Sequence, residues 1–155
     1  MINRRHLLAL PLLLAAPARA APANDALAAA LVACWQARGV RFTADQVLAR
    51  MGGSSGTAAL LAVAGATDSA DGEEVETAVE IVWEAGRPPS PTEPLLQRDL
   101  RQGLPLLLIG QNGHIWLLHA LDGGAASVSD PISGHKQSLT LNEVALIGRP
   151  VIAGA

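Results

Sequence analysis

The apolar residues of this chain change their spacing, from a helical period near the start to an alternating period near the end. Over Ala26–Arg38 they recur every three or four positions, so Leu27, Leu31, Cys34 and Trp35 share one stripe of a predicted helix. In the last third of the chain, apolar residues alternate with polar ones or form short blocks, which is typical of strands. Helices first and strands last predict an α+β fold rather than a doubly wound sheet.

Capping and turn residues set the boundaries of the predicted helices. Asn24 or Asp25 is the expected cap of the first helix, and Gly39 is its expected stop. Thr43 and Gln46 have the spacing of a capping box, which predicts the start of a second helix. The helices predicted after the first one occupy residues 43–53, 57–63 and, capped by Thr92, 92–103.

The second half predicts an antiparallel meander whose strands are separated by glycine-rich turns. Thr140 and Glu143 predict a short capped helical turn before the last strand. The segment 75–84 stays ambiguous, because its alternating apolar residues suit a strand while its acidic residues suit the start of a helix. Loops are predicted at 68–74 and at the proline-rich 87–91, and strands at 104–109, 114–121, 125–130, 136–141 and 149–153.

The first twenty residues have the pattern of an export signal. Arg4 and Arg5 precede an apolar run that Pro11 interrupts, and small alanines lead to a cleavage site after Ala20. The paired arginines also resemble a twin-arginine signal, so either that route or the general secretory route is open. We therefore expect a single domain over residues 21–155, periplasmic or secreted, with no stable membrane anchor after cleavage.

Composition and charge limit the partners and the kinds of site that we expect. The 155 residues, 50% of them hydrophobic, suffice for one domain with a core. Residues 1–20 contain three arginines and no acidic residue, so their removal changes the net charge from −3 to −6. Nucleic acid is not an expected partner, because phosphate contacts need a basic surface. The single Cys34 excludes an intramolecular disulfide and a multi-cysteine metal site, and no cofactor is expected.

Three short motifs follow one another in the second half of the chain. They are Gly103-Leu104-Pro105-Leu106-Leu107, Gly113-His114-Ile115-Trp116-Leu117 and Val128-Ser129-Asp130-Pro131-Ile132-Ser133-Gly134. With the helices before them, they resemble the papain-like cysteine peptidase superfamily in its short bacterial form, as in bacteriocin-exporter peptidase domains and secreted effector-type papain-like proteases. The resemblance covers about 25–144 and implies a papain-like fold, with N-terminal helices followed by an antiparallel β-sheet.

The resemblance also implies a role for individual residues. His114 takes the position of the general base, and Asp130 takes that of the group that orients the imidazole. The nucleophile would lie near Ala26, where a helix N-terminus stabilises a thiolate, but alanine has no nucleophilic group. The glutamine that normally donates to the oxyanion hole is also missing, because the first glutamine of the chain is Gln36.

Cys34 offers an alternative nucleophile two turns further along the first helix. Cys34-Trp35-Gln36-Ala37 resembles the nucleophile motif of the effector-type proteases, which leaves open an active peptidase that uses Cys34, His114 and Asp130. That helix would then have to start at Cys34, against the helix propensity of residues 26–33. The main expectation is therefore an exported, catalytically inactive homologue that binds a peptide or protein in the inherited cleft, with Cys34 as a core residue.

Plainer interpretations of the same residues also remain. His114 fits a hydrogen-bonded histidine at the start of a strand, and Asp130 fits the cap of an Asp-Pro-x-x-Gly turn. His119 lies five residues after His114, so a regular strand turns them to opposite sides, which disfavours a histidine metal site. An interaction domain whose cleft is filled by its own side chains is the third functional hypothesis.

Overall fold

The computed structural model describes residues 21–87 and 93–152, which contain four α-helices and seven β-strands. The helices are α1 (Ala21–Ala37), α2 (Ala44–Met51), α3 (Gly56–Val63) and α4 (Glu93–Arg101). The strands are β1 (Gly65–Asp68), β2 (Glu74–Glu84), β3 (Leu106–Gly110), β4 (Ile115–Asp122), β5 (Ala125–Ser129), β6 (Lys136–Thr140) and β7 (Val144–Ile152). A 3₁₀ turn at Leu141–Glu143 connects β6 to β7. The predicted α+β class is confirmed. The predicted export signal, most of the proline-rich connector and the predicted cap Thr92 lie outside the described residues.

Local capping explains where α2 begins. Thr43 Oγ1 accepts a hydrogen bond from the Gln46 N–H at 3.1 Å, and Gln46 Oε1 accepts one from the Thr43 N–H at 2.8 Å. These reciprocal bonds satisfy two N–H groups that the first turn of a helix leaves unpaired. The predicted capping box is therefore confirmed.

The start of α1 differs from the prediction. The helix begins at Ala21, so neither Asn24 nor Asp25 is its cap. The Asn24 side chain instead donates to the backbone carbonyl of Ser54, in the turn between α2 and α3, at 3.2 Å. The Asn24 side chain, which was expected to cap the helix, thus forms a tertiary contact instead. Gly39 ends the helix as predicted, with a φ of +91° that favours glycine.

The seven strands form one sheet in the order β1-β2-β7-β3-β4-β5-β6, with every neighbouring pair antiparallel. Strands β3 to β6 form the predicted meander, but β7 does not extend it. It begins at Val144, before the predicted start at Arg149, and lies between β2 and β3. The ambiguous segment 75–84 lies in β2, and β1 occupies residues at which no strand was predicted.

Each face of the sheet packs against different helices. The α1 face contributes Leu107, Ile115 and Leu146 to a core cluster that contains residues of α1, α2 and α3. The α4 face contributes Leu108 and Trp116, among others, to a second cluster that contains Leu96 of α4. Adjacent residues of one strand therefore belong to different cores, as the pleat requires.

The sheet curls strongly around its α4 face. Strand β6 is separated from β7 by β5, β4 and β3, which in a flat sheet amounts to about 19 Å, four spacings of ~4.8 Å. The four-residue step from Thr140 to Val144 spans at most about 14 Å. Curling shortens the path, so that Glu143, just before β7, accepts from the Gln111 N–H at 2.7 Å as the β3–β7 pairing continues. The outer edge of β6 thus approaches the turn between β3 and β4.

A group of charged side chains, buried except for Glu80, connects the end of α1, α4 and the sheet. The Asp99 carboxylate of α4, whose side chain is 1% exposed, accepts hydrogen bonds from Arg38 and Arg149. Arg149 also donates to Glu80 of β2 at 3.0 Å. We call Arg38, Asp99, Arg149 and Glu80 the Asp99 network. Because both arginines are largely buried, the network depends on the Asp99 charge.

No helix within residues 21–87 and 93–152 is long and apolar enough to cross a bilayer.

Candidate functional site

His114 and Asp130, predicted to work together, are in contact. Gly113, with a φ of +83°, turns the chain into β4, and His114 is the residue just before that strand. Asp130 follows the last residue of β5, and Leu117 pairs with Ser129 on these adjacent strands. The register brings the two side chains together, with His114 Nε2 3.0 Å from Asp130 Oδ2.

The Asp130 carboxylate is fixed by the turn that follows it. Its Oδ1 accepts hydrogen bonds from the N–H groups of Ile132 at 2.8 Å and Ser133 at 2.9 Å. The bond from Ser133 is the largest of the effects that hold the pKa of Asp130 below its ordinary value. The carboxylate is therefore ionised at neutral pH and accepts only, so the His114 Nε2 carries the proton and Nδ1 is the acceptor of the neutral ring.

Trp116 supports the imidazole from one side. The ring centroids of His114 and Trp116 are 4.2 Å apart, with an angle of 38° between the ring planes. Trp116 belongs to the core on the α4 face, and 43% of the His114 side chain is exposed. The imidazole therefore has one ring face against a buried indole while it remains accessible to solvent.

A cleft of about 320 Å³ opens beside Trp116, near the lower end of the range for small-molecule sites. Polar side chains with carboxamide or carboxylate groups dominate its lining, and no basic side chain is among them. The lining residues are Gly110, Gln111, Asn112, Trp116, Gln137, Leu139, Asn142 and Glu143. The cleft thus offers hydrogen-bond donors and acceptors with one negative charge.

Cys34 has a different environment. It lies in the last turn of α1, and its side chain is fully buried. Burial raises the pKa of the thiol from 9.0 to about 12, although the positive charge and hydrogen bond of Arg38 act in the opposite direction. A thiol with this pKa is protonated at neutral pH and is a poor nucleophile.

The structure does not bring Cys34 to His114. Arg38 donates to the backbone carbonyls of both Cys34 and Pro105, so Cys34 lies near the N-terminal end of β3. His114 lies at the other end, where its carbonyl accepts from the Gly110 N–H. The five-residue step from Pro105 to Gly110 spans about 16 Å at ~3.3 Å per residue.

The two sites also lie on different faces of the sheet. His114 contacts Trp116 on the α4 face, whereas α1 packs against the α1 face. Ala26, the position where the resemblance implies the nucleophile, packs against the core cluster on the α1 face. The structure therefore brings together His114 and Asp130 and places both candidate nucleophile positions elsewhere.

His119 forms a separate contact. It lies at an irregularity of β4 between Leu118 and Ala120, and its Nε2 is 2.7 Å from Ser129 Oγ. Burial, assisted by the nearby Lys136 charge, lowers the pKa of His119, so the ring is neutral at pH 7. Within the described residues, no group of histidine, cysteine or acidic side chains is placed to hold a metal ion.

Sequence reasoning did not identify the residues that form the cleft. The spacing of Thr140 and Glu143 predicted a capped turn, which is present. It gave no sign that this turn would face residues 110–112 across a curled sheet. Gln137 and Asn142 stand in no motif, so only the tertiary structure identifies them as cleft residues.

Comparisons with models of protein families, with curated proteins and with solved structures find no match to this chain. The papain-like resemblance remains an expectation based on three motifs.

Proposed function

We propose that this chain is an exported, non-catalytic relative of the papain-like peptidases that binds a peptide segment beside His114. The observation that carries the proposal is an assembled His114–Asp130 pair whose imidazole contacts Trp116, a residue of the cleft lining, with the only cysteine of the chain buried elsewhere. The pair has the parts of a general base without the thiol that such a base would activate.

The chemistry of the cleft supports a peptide as the ligand. A carboxamide has one carbonyl acceptor and an N–H₂ donor, which complement the N–H and C=O of a peptide bond. Gln111, Asn112, Gln137 and Asn142 all contribute such groups to the lining. His114 adds an acceptor at Nδ1 and an exposed ring edge. These groups can hold an extended backbone without any covalent step.

The environment of Cys34 supports a function without peptide cleavage. A nucleophile and its base need to approach within about 3 Å, more loosely when no substrate is bound. Cys34 lies at the opposite end of β3 from His114 and has a strongly raised pKa. These two properties disfavour the alternative of an active peptidase that uses Cys34.

The predicted export signal and the acidic charge complete the proposal. A chain exported by residues 1–20 would act in the periplasm or outside the cell. Its net charge of −6 after cleavage disfavours binding to nucleic acid or to an anionic membrane surface. A peptide or protein segment remains the partner that the cleft fits best.

A peptide selection with a site-specific readout tests this proposal. Random twelve-residue peptides displayed on phage are selected on residues 21–155, and the selected peptides are synthesised. Binding is followed through the indole N–H signals of the three tryptophans in NMR spectra. We expect the Trp116 signal to shift, with Trp35 and Trp83 unaffected, and His114→Ala to weaken binding about tenfold.

The matched control is His119→Ala, which removes a histidine of β4 that contacts Ser129 and not Trp116. We expect this variant to bind the selected peptides as the unmodified chain does. Selection of no binding peptide, or of peptides that leave the Trp116 signal unchanged, would contradict the proposal. Cleavage of a selected peptide that is lost in Cys34→Ala would show that the chain is an active peptidase.

A further inference from the structure

The outer edge of β6 has backbone groups that the sheet does not use. The Thr140 N–H points away from β5, because it donates to the Glu143 carboxylate at 2.8 Å. On the β5 side, the Asp130 N–H donates to the His135 carbonyl. Every second residue from His135 onwards therefore directs its backbone N–H and C=O groups towards β5. Since direction alternates along a strand, the N–H and C=O groups of Ser138 and Lys136 also point outwards.

The same strand provides one wall of the cleft. Gln137 and Leu139 line the cleft on the α4 face, so the outward backbone groups of Ser138 lie along its border. The opposite wall is the turn at residues 110–112, which is hydrogen-bonded to Glu143 in the 3₁₀ turn that follows β6. A gap bordered by an unused strand edge and a polar turn has the form of a slot for one further strand.

The side chains that face this slot have hydrogen-bonding capacity to spare. Among the described residues, the Gln137 and Asn142 side chains form no hydrogen bond to the protein. Gln111 uses only its Nε2, which donates to the Val144 carbonyl. Glu143 uses Oε2 to accept from Thr140, which leaves Oε1 for another donor.

The charge of the slot indicates the side chain that would enter it. Glu143 is the only charged residue of the cleft lining, and the ionised Asp130 lies beyond Trp116. No basic residue lines the cleft to balance these carboxylates. A lysine or arginine side chain would supply the missing charge and donate to Oε1, whereas an acidic side chain would be repelled.

We propose that an extended peptide segment adds to the edge of β6 as an antiparallel strand and places a basic side chain in the cleft beside Glu143. This inference rests on the proposed peptide-binding function and specifies how the peptide is held. In an antiparallel pair, residues directly opposite each other have side chains on the same face. The basic residue therefore lies opposite Gln137 or Leu139, and its own N–H points away from β6. The residues on either side of it donate to β6.

Two synthetic peptides test whether the cleft prefers a basic side chain to an acidic one. Both are acetylated and amidated, one with the sequence Thr-Val-Lys-Val-Thr and the other with glutamate in place of lysine. Binding to residues 21–155 is measured from shifts of backbone amide signals in β6 and in the turn at 110–112. We expect the lysine peptide to bind at least about tenfold more tightly. Equal binding, or preference for the glutamate peptide, would overturn the inference.

N-methylation of the peptide tests the strand pairing without changing the protein. A methyl group on the two valine nitrogens removes the N–H groups that face β6 in the proposed arrangement. We expect these methyl groups to weaken binding about tenfold, and a methyl group on the lysine nitrogen to have little effect. The reverse order of effects would contradict the antiparallel arrangement.

Two protein variants locate the site. Ser138→Pro removes an outward N–H at an edge position where proline is tolerated, and should abolish the shifts. Glu143→Gln keeps a capping acceptor but removes the charge, and should erase the preference for lysine. Glu76→Gln, an exposed substitution on β2, is the matched control and should leave the preference for the lysine peptide unchanged. If the N-methylated peptides and Ser138→Pro bind normally while His114→Ala binds weakly, the inference fails and the proposed peptide-binding function stands.

Discussion

The regions around Cys34 and around His114 both contain chemistry that a cysteine peptidase needs, yet they are built in opposite ways. Cys34 is fully buried, beside an arginine that belongs to the Asp99 network. His114 lies at the start of β4 with 43% of its side chain exposed, and Asp130 orients its ring. The first region has the properties of a structural core, and the second has those of a binding surface.

This contrast shows that the presence of the three residue types in the sequence does not place them in one site. The chain contains a cysteine, a histidine and an aspartate, but only the histidine and the aspartate are in contact. The thiol lies at the other end of β3 and faces the other side of the sheet. Variants that affect one region should therefore affect stability, and variants that affect the other should affect binding.

The largest stability effect is expected from Asp99→Asn. This substitution leaves Arg38 and Arg149 without their shared buried carboxylate, and breaking such a group costs about 3–5 kcal/mol in the free energy of unfolding. Urea denaturation followed by tryptophan fluorescence measures it. The matched control is the exposed Asp122→Asn, for which we expect a change within about 0.5 kcal/mol. A loss of less than 1 kcal/mol in Asp99→Asn would show that the network is not structural.

The pH dependence of stability should have the same origin. Burial alone would raise the pKa of Asp99, but the hydrogen bonds from Arg149 and Arg38 hold it below its ordinary value. Stability from a depressed carboxyl pKa is present above the unfolded pKa of about 3.9 and is lost as pH falls through the folded pKa. We expect the free energy of unfolding to fall steeply below about pH 4, and Asp99→Asn to flatten this dependence. An equally steep curve in the variant would assign the effect to other groups.

The smallest stability effect is expected from His114→Ala. The hydrogen bond to Asp130 is substantially exposed, and such surface interactions contribute about 0–1 kcal/mol. The same urea titration that detects the Asp99→Asn effect measures this difference. A loss above about 2 kcal/mol would mean that His114 is a structural residue, which would remove the contrast between the two regions.

Local signals in the sequence predicted much of the fold. The capping box at Thr43, the stop at Gly39 and the meander from β3 to β6 depend on residues close together in the chain, where hydrogen-bonding rules apply directly. The contact between His114 and Asp130 was expected from two motifs on strands that pair as neighbours.

The features that the sequence did not predict depend on contacts between distant segments. The insertion of β7 between β2 and β3 requires pairing across more than sixty residues, and Gly148 and Pro150 weaken its strand pattern. Gly148 fits there because an added Cβ would lie 3.0 Å from a methyl group of Val79. The Asp99 network likewise joins four elements, and no spacing in the sequence relates its members. The cleft likewise combines residues of β6 with residues 110–112 and 142–143, which no spacing in the sequence relates.

The reactivity of Cys34 tests most directly whether the thiol and the His114–Asp130 pair form one site or two. With a pKa of about 12 instead of 9.0, the thiolate population is lower by about a thousandfold, and burial restricts access further. The rate of alkylation by iodoacetamide at pH 7 is measured by mass spectrometry in the unmodified chain and in His114→Ala, with the urea-unfolded chain as the reference. Two separate sites predict at least about thousandfold slower labelling of both folded proteins, with equal rates. Rapid labelling of the folded chain that His114→Ala abolishes would contradict this account and identify Cys34 as the nucleophile of an active peptidase.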